Sequence, residues 1–294
     1  MKNDYVFMTD SDSDLYYEIA DSWGIPVVKM PYILDGREYP DDNGRLGEEH
    51  QKAFFDRMRA GAVPVTSLLP TEAYLEYFDP ILKESDLLFI AFSSVMSHTI
   101  DHIYEAREEL LKKYPSRRFT VVDTLSISFP MSLLLERAHE LYEQGASMEE
   151  VAAWVENNRM RAHAWMTVDD LVYLRRGGRI SPTSAVLGTM LQLKPILCEG
   201  RSGKIEAAEK VSGRKTAIRT LVDKVVSYIE APEEQEIIIA HADCPDDAKK
   251  LQEMLIGKLP DLKGTVLRMV GPVIGSHCGP GTLAVVFMGR ERDI

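Results

Sequence analysis

The chain has 294 residues, of which 45% are hydrophobic and 27% charged, and its 34 basic against 46 acidic residues leave a net charge of -12. That length suits one large domain or two of ordinary size, each able to bury a core. The acidic balance argues against a general nucleic-acid binder and against a surface built for anionic lipid, and no apolar run approaches the roughly 18 residues of a membrane span.

Tyr5 to Thr9 reads as a strand running into the polar Asp10–Asp14, and from that pattern no secretory signal peptide is expected. Leu15, Ile19 and Trp23 mark a helix face. Pro26 to Leu34 is strand-like, and Asp35-Gly36 is a hairpin signal before Arg37–Tyr39. A helix is expected over Glu48–Arg59, an extended piece over Val63–Ser67, and a helix capped by Thr71 with Tyr74, Leu75, Phe78 and Leu82 on one face. Asp86–Ala91 is an almost unbroken apolar run, as in a strand buried on both faces. It is followed by a helix to about Lys113, a strand at Phe119–Val122, and helices over Phe129–Gln144 and Met148–Arg159. The last carries a capping box of Ser147 and Glu150. This alternation predicts an α/β unit with a largely parallel sheet.

After about residue 160 the pattern changes. Ala164–Val168 is extended, and Asp169–Arg176 is a short helix stopped by Gly177-Gly178. Lys194–Leu197 and Lys204–Val211 flank a turn at Gly200–Gly203. A helix over Arg214–Ile229, a strand at Glu236–Ala240, a helix over Asp246–Lys258 and two closing strands complete the chain. The expectation is an α/β protein of two domains, 1–160 and 161–294, the second of mixed α/β type. Between the closing strands, Gly271–Thr282 is rich in Gly and Pro and carries one His. It reads as a stiff connection, either an elaborate hairpin turn or the holder of a ligand. Cys198, Cys244 and Cys278 stand in dissimilar surroundings and are expected to be reduced thiols of a cytoplasmic protein.

Three apolar strands of the first half end in small polar residues: Asp10-Ser11, Ser93-Ser94 and Asp123-Thr124. Strand carboxyl ends in an open α/β sheet are where ligands bind. Thr66-Ser67 follows another extended piece, and Ser97 stands where a helix begins, so that it either caps that helix or helps its N–H groups meet an anion. Asp10 and Asp12 also admit a metal-dependent phosphohydrolase reading, with one carboxylate as nucleophile. Ser97-His98, Asp101-His102 and His277-Cys278 are not dyads, because neighbours on an extended segment point apart. No catalytic nucleophile is expected among them, and on the reading that no two Cys or His share ligand spacing, no metal site either. Arg175–Arg179 and Lys210–Lys215 are basic clusters against an acidic background, either solvated faces or a patch for phosphate or a partner.

Taken together, Met8–Asp14, Thr66-Ser67, Phe92–Ser97, Asp170–Ser181, Leu193–Ile196 and Gly271–Thr282 resemble, in order and spacing, the DegV family of fatty-acid-binding proteins. The resemblance implies a lipid carrier without turnover of its own. It buries one long-chain fatty acid in a tunnel near the domain interface and presents the carboxyl group to a separate fatty acid kinase, which makes acyl-phosphate for phospholipid synthesis. It implies Thr66, Ser97 and His277 at the carboxylate, Ser67, Ser93, Ser94 and Thr282 in support, and Arg179 in partner docking. No cofactor beyond the bound acid is implied, and transient membrane contact accompanies the role. A chain of about sixteen to eighteen carbons would supply affinity at about 0.8 kcal/mol per buried CH₂. Hydroxyls would meet the carboxylate without a permanent positive charge. The apolar Ala185–Leu193 is one candidate lining for the tunnel. The sequence departs from the family pattern at His98, usually Gly, at Leu68-Leu69 after the Thr-Ser pair, and at Ser212, where Arg is common.

Overall fold

The computed structural model describes residues 4–180 and 193–294. Its chain divides into two compact units, one of Met1–Arg45 with Thr66–Arg159, the other of Leu46–Val65 with Met160–Ile294. The sequence suggests a single cut near 160, whereas Leu46–Val65 goes with the second unit. Most of Ala185–Leu193, the candidate tunnel lining, lies outside the described residues.

In chain order the first elements are β1 (Tyr5–Asp10), α1 (Tyr17–Trp23), β2 (Val27–Val28), β3 (Pro31–Leu34) and β4 (Arg37–Pro40). Asp35 and Gly36 take φ of 50° and 75°. A two-residue turn with both residues left-handed matches strand twist, and it sets the antiparallel register of β3 and β4. Then come α2 (Glu48–Arg59), β5 (Val65–Thr66), α3 (Thr71–Glu84), β6 (Asp86–Ala91), α4 (Thr99–Lys113), β7 (Phe119–Asp123), α5 (Ser128–Glu143) and α6 (Met148–Asn158).

The first unit is built on a parallel sheet in the order β2-β1-β6-β7. From Leu87 to Ala91 strand β6 is wholly inaccessible, which requires cover on both faces. The register shows how that is met. Phe7 pairs with Leu88 and Met8 with Phe89, so Phe7 and Phe89 point to opposite faces. Phe7 meets His139 and Tyr142 of α5, while Phe89 meets Phe78 of α3 with centroids 5.3 Å apart. Helix α6 starts with the expected capping box of Ser147 and Glu150. Thr71 is not a cap. It is the first helical residue after Pro70, and its hydroxyl instead reaches Glu105 Oε2 at 2.5 Å and His102 Nδ1 at 3.1 Å.

The second unit adds β8 (Ala162–Thr167), α7 (Val172–Arg176), β9 (Leu193–Glu199), β10 (Ile205–Ser212), α8 (Arg214–Tyr228), β11 (Glu236–His241), α9 (Pro245–Lys258), β12 (Gly264–Met269), α10 (Pro272–Cys278) and β13 (Leu283–Met288). Its six strands run β10-β9-β8-β13-β11-β12, antiparallel except for the pair β11–β12. One face carries Trp165, Ile237, Ile239, Leu283, Val285 and Phe287, which form a single core with Leu221, Val222 and Val225 of α8 and Leu251 and Leu255 of α9. The closing strands are not a hairpin. Strand β11 lies between them, parallel to β12 and antiparallel to β13. The segment read as a stiff connection is a helix, α10, with Pro272 in its first turn, where the missing N–H costs nothing. Gly275 is interior to it because Phe55 of α2 lies against that position: a Cβ there would stand 2.9 Å from the ring.

Candidate functional site

The polar strand ends of the first unit form one hydrogen-bonded system. Asp10 is fully buried and accepts N–H from Asp12 at 3.1 Å and Phe92 at 3.4 Å. It thereby ties the end of β1 to the residue after β6. Burial raises its carboxyl to about 7, outweighing the two N–H donors. Ser11 Oγ accepts from Met30 N at 2.9 Å, Ser13 Oγ donates to Asp10 O at 2.8 Å, Ser128 Oγ donates to Asp14, and Ser132 Oγ donates to Ser13 O at 2.7 Å. The Asp-Ser repeat therefore locks loop to loop. A nucleophilic Asp10 needs an open face beside a cation, and its carboxylate is spent on backbone amides inside the protein. Among the described residues no group of three or more His, Cys, Asp or Glu could hold a metal ion. His98 and His102 do stand one helical turn apart, which the spacing argument overlooked. Their Nδ1 atoms face Asp101 at 3.0 Å and Glu105 at 3.4 Å.

Ser93, Ser94 and Ser97 share the turn between β6 and α4. Ser97 N and Met96 N both donate to Ser93 O, at 3.3 and 3.1 Å. Ser93 is buried, Ser94 and Ser97 half-buried, and Ser94 N donates to Asp123 Oδ1 at 3.2 Å. Ser97 Oγ lies 2.8 Å from Thr99 Oγ1 and accepts from Thr99 N at 3.3 Å. The hydroxyl thus sits at the amino end of a 15-residue helix, where the backbone dipole favours negative charge. His98, next in sequence, is 85% exposed at its side chain and paired with Asp101, so its ring is directed to solvent. Thr66 closes β5 and, like Ser67, is half-buried; Leu68 is exposed.

In the second unit two glycine-bearing segments interlock. The first, Asp169–Arg179, contains α7; the second, Gly271–Thr282, contains α10. A Cβ on Gly177 would fall within 3.0 Å of His277 Nδ1 and 3.1 Å from Cε1; one on Gly279 would meet the Tyr173 ring, and one on Gly281 would meet Asp169. Half-buried His277 is held at about 4, first by burial and then by the Arg179 charge. It is therefore a neutral imidazole at neutral pH. Arg179 Nη1 donates to Gly177 O, and its own N–H closes on Leu174 O at 2.9 Å. Thr282 is buried, and its hydroxyl is spent on Cys278 O at 2.8 Å and Gly279 O at 2.9 Å; it caps α10. Ser212 ends β10 at the surface.

A cavity of about 320 Å³ near these segments is lined by Arg59, Asp169, Tyr173, Asp243, Cys244 and Gly281 among others. Arg59 Nη2 donates to Asp243 O at 2.8 Å, and the charged lining is unsuited to an acyl chain. Sequence reasoning missed the pairing of the two glycine segments. The signal was Gly177, which its backbone conformation does not require to be glycine, but a partner about a hundred residues away is invisible in a linear pattern. Among the described residues no helix is long and apolar enough to cross a membrane.

A family model described as an uncharacterised protein of the DegV family matches residues 6–290. A DegV domain-containing protein of Clostridium perfringens is 37% identical over 290 residues, covering 98% of this chain and 99% of the relative. Among solved structures, a fatty-acid-binding DegV family protein of Thermus thermophilus superposes with a TM-score of 0.84 at 30% identity, covering 97% of this chain and 99% of the other. A DegV lipid-binding protein of Thermotoga maritima does so with a TM-score of 0.80 at 27% identity, covering 100% of each chain.

Proposed function

This chain belongs to the DegV family, and on that premise we propose that it binds one long-chain fatty acid and holds its carboxylate with the hydroxyls of Thr66 and Ser97 and the neutral imidazole of His277. The observation that carries the reading is the fatty-acid-binding relative from Thermus thermophilus, alike over 97% of this chain, together with the presence here of that hydroxyl and imidazole set. Ser97 at the start of α4 supports a carboxylate ligand, since the helix end favours an anion. A neutral His277 supports a head group held by hydrogen bonds that leave a carboxylate oxygen able to react. Ser67, Ser93 and Ser94 shape the turn segments, while Thr282 serves α10. The protein acts as a cytoplasmic carrier without its own turnover. It offers the acid to a fatty acid kinase that docks on the Arg179 side, with brief membrane contact for lipid exchange, and the acyl-phosphate feeds phospholipid synthesis.

Native mass spectrometry with organic extraction identifies the bound acid, and calorimetry with Thr66→Ala and Ser97→Ala tests the head group. A hydrogen bond to a charged group contributes about 1.5–3 kcal/mol, so each variant should weaken binding about 10- to 150-fold. Fatty acids that neither copurify nor bind when added would overturn the carrier reading. Acyl-phosphate formed by a fatty acid kinase and ATP with this protein, and lost in Arg179→Ala, tests the docking role.

A further inference from the structure

Gly177 and Gly178 are adjacent, yet glycine is needed at each for a different reason. Gly178 has φ of 70° and nothing within 4 Å of its virtual Cβ, so its requirement is conformational. Gly177 has φ of -73° and ψ of -8°, a backbone that any residue adopts. What excludes a side chain there is the ring of His277, whose Nδ1, Cε1 and Cγ occupy the space that a Cβ would take. The carbonyl of the same glycine accepts from Arg179 Nη1, and its N–H donates to Tyr173 O at 3.0 Å. Residue 177 is thus fixed on both sides of its Cα while its missing side chain seats the imidazole. The neighbouring contacts, Gly279 against Tyr173 and Gly281 against Asp169, hold the two segments in register around that seat.

We propose that Gly177 is a positioning residue for the head-group site, setting the place of the His277 ring, an inference that rests on the reading of His277 as a carboxylate ligand. A methyl at 177 must displace the ring, because the backbone on the glycine side is pinned by its hydrogen bonds and the imidazole is the part that can turn. The site would then lose one donor without any change in its chemical composition.

The test is a double-mutant cycle with a spectroscopic readout, on the full-length protein with palmitate as probe. Gly177→Ala should shift the His277 imidazole resonances in a histidine-labelled sample and weaken palmitate binding about tenfold or more, the scale of one hydrogen bond to a charged group. In a His277→Ala background the same substitution should change affinity less than about twofold, since a residue acting through His277 has nothing left to act on. Gly178→Ala should lower the melting temperature and leave the His277 resonances in place. Unchanged His277 resonances in Gly177→Ala, or an equal loss of affinity in both backgrounds, would overturn the proposal. If His277→Ala alone leaves affinity intact, the head-group role of His277 fails, and the resonance shift in Gly177→Ala still decides whether residue 177 seats the ring. Should Gly177→Ala not fold, Gly177→Ala/His277→Ser removes the ring and should fold; its failure would refute the seat.

Discussion

Arg292 and Glu199 form a buried ion pair at the end of the second unit, with both side chains 2% exposed and Nη2 2.7 Å from Oε2. The guanidinium also donates from Nε to Ala162 O at 2.8 Å and from Nη1 to Gly200 O at 3.4 Å. It therefore fastens the C-terminal segment to β8 and to the turn after β9. Arg292→Met keeps much of the volume but removes the positive charge facing a carboxylate that water does not reach. Breaking a buried pair from one side costs about 3–5 kcal/mol, whereas replacing both partners by apolar groups is near neutral. We expect a loss in that range for Arg292→Met and recovery of most of it in Arg292→Met/Glu199→Leu. The assay is equilibrium urea unfolding followed by the fluorescence of Trp165, 2% exposed in the core of the same unit, in a Trp23→Phe/Trp154→Phe background. That background makes the transition report the second unit alone. A single-variant loss under about 1 kcal/mol, or a double variant as damaged as the single, would refute the assignment of the stability to charge compensation.

Two further outcomes follow from buried titratable groups. His163, 3% exposed, is held at about 4 against 6.5, chiefly by burial. Between those values the unfolded chain binds the proton that the folded one refuses, so stability is full above pH 6.5 and falls as the pH drops toward 4. His163→Gln, which can keep the donation to Arg290 O, should flatten that fall in urea midpoints measured from pH 7.5 to 4.5, and parallel curves would refute it. Asp10 has the opposite sign: its carboxyl is raised to about 7, so the folded state binds the extra proton and stability declines as pH rises from about 4 through 7. Asp10→Asn should be at least as stable as the parent at pH 8 and lack that decline, whereas a steep loss of folding at pH 8 would show that the charge itself is needed.

Much of the first unit was legible because its signals are local. The unbroken apolar run at Leu87–Ile90 predicts a strand covered on both faces. Asp35-Gly36 carries its turn in two residues, and Ser147 with Glu150 carries a helix start in four. Thr71 failed as a cap because the helix takes it as its first residue after Pro70 and two side chains of α4, more than thirty residues away, take its hydroxyl. The motif residues Thr66, Ser97, His277 and Arg179 were visible through the resemblance, but their surroundings were not.

Gly271–Thr282 shows where the boundary falls. The sequence by itself determined that this segment connects two strands, contains bends and carries a histidine among small residues. Only the tertiary structure decided that it is a helix, that β11 separates the two strands, and that Gly275 is a glycine because Phe55 presses on it, while Gly279 and Gly281, already held to glycine by φ of 78° and 80°, also face Tyr173 and Asp169. Conformational demands such as a positive φ act within a few residues and leave a local mark. Close approach is a property of two surfaces, and its cause is written in whichever distant residue supplies the other one.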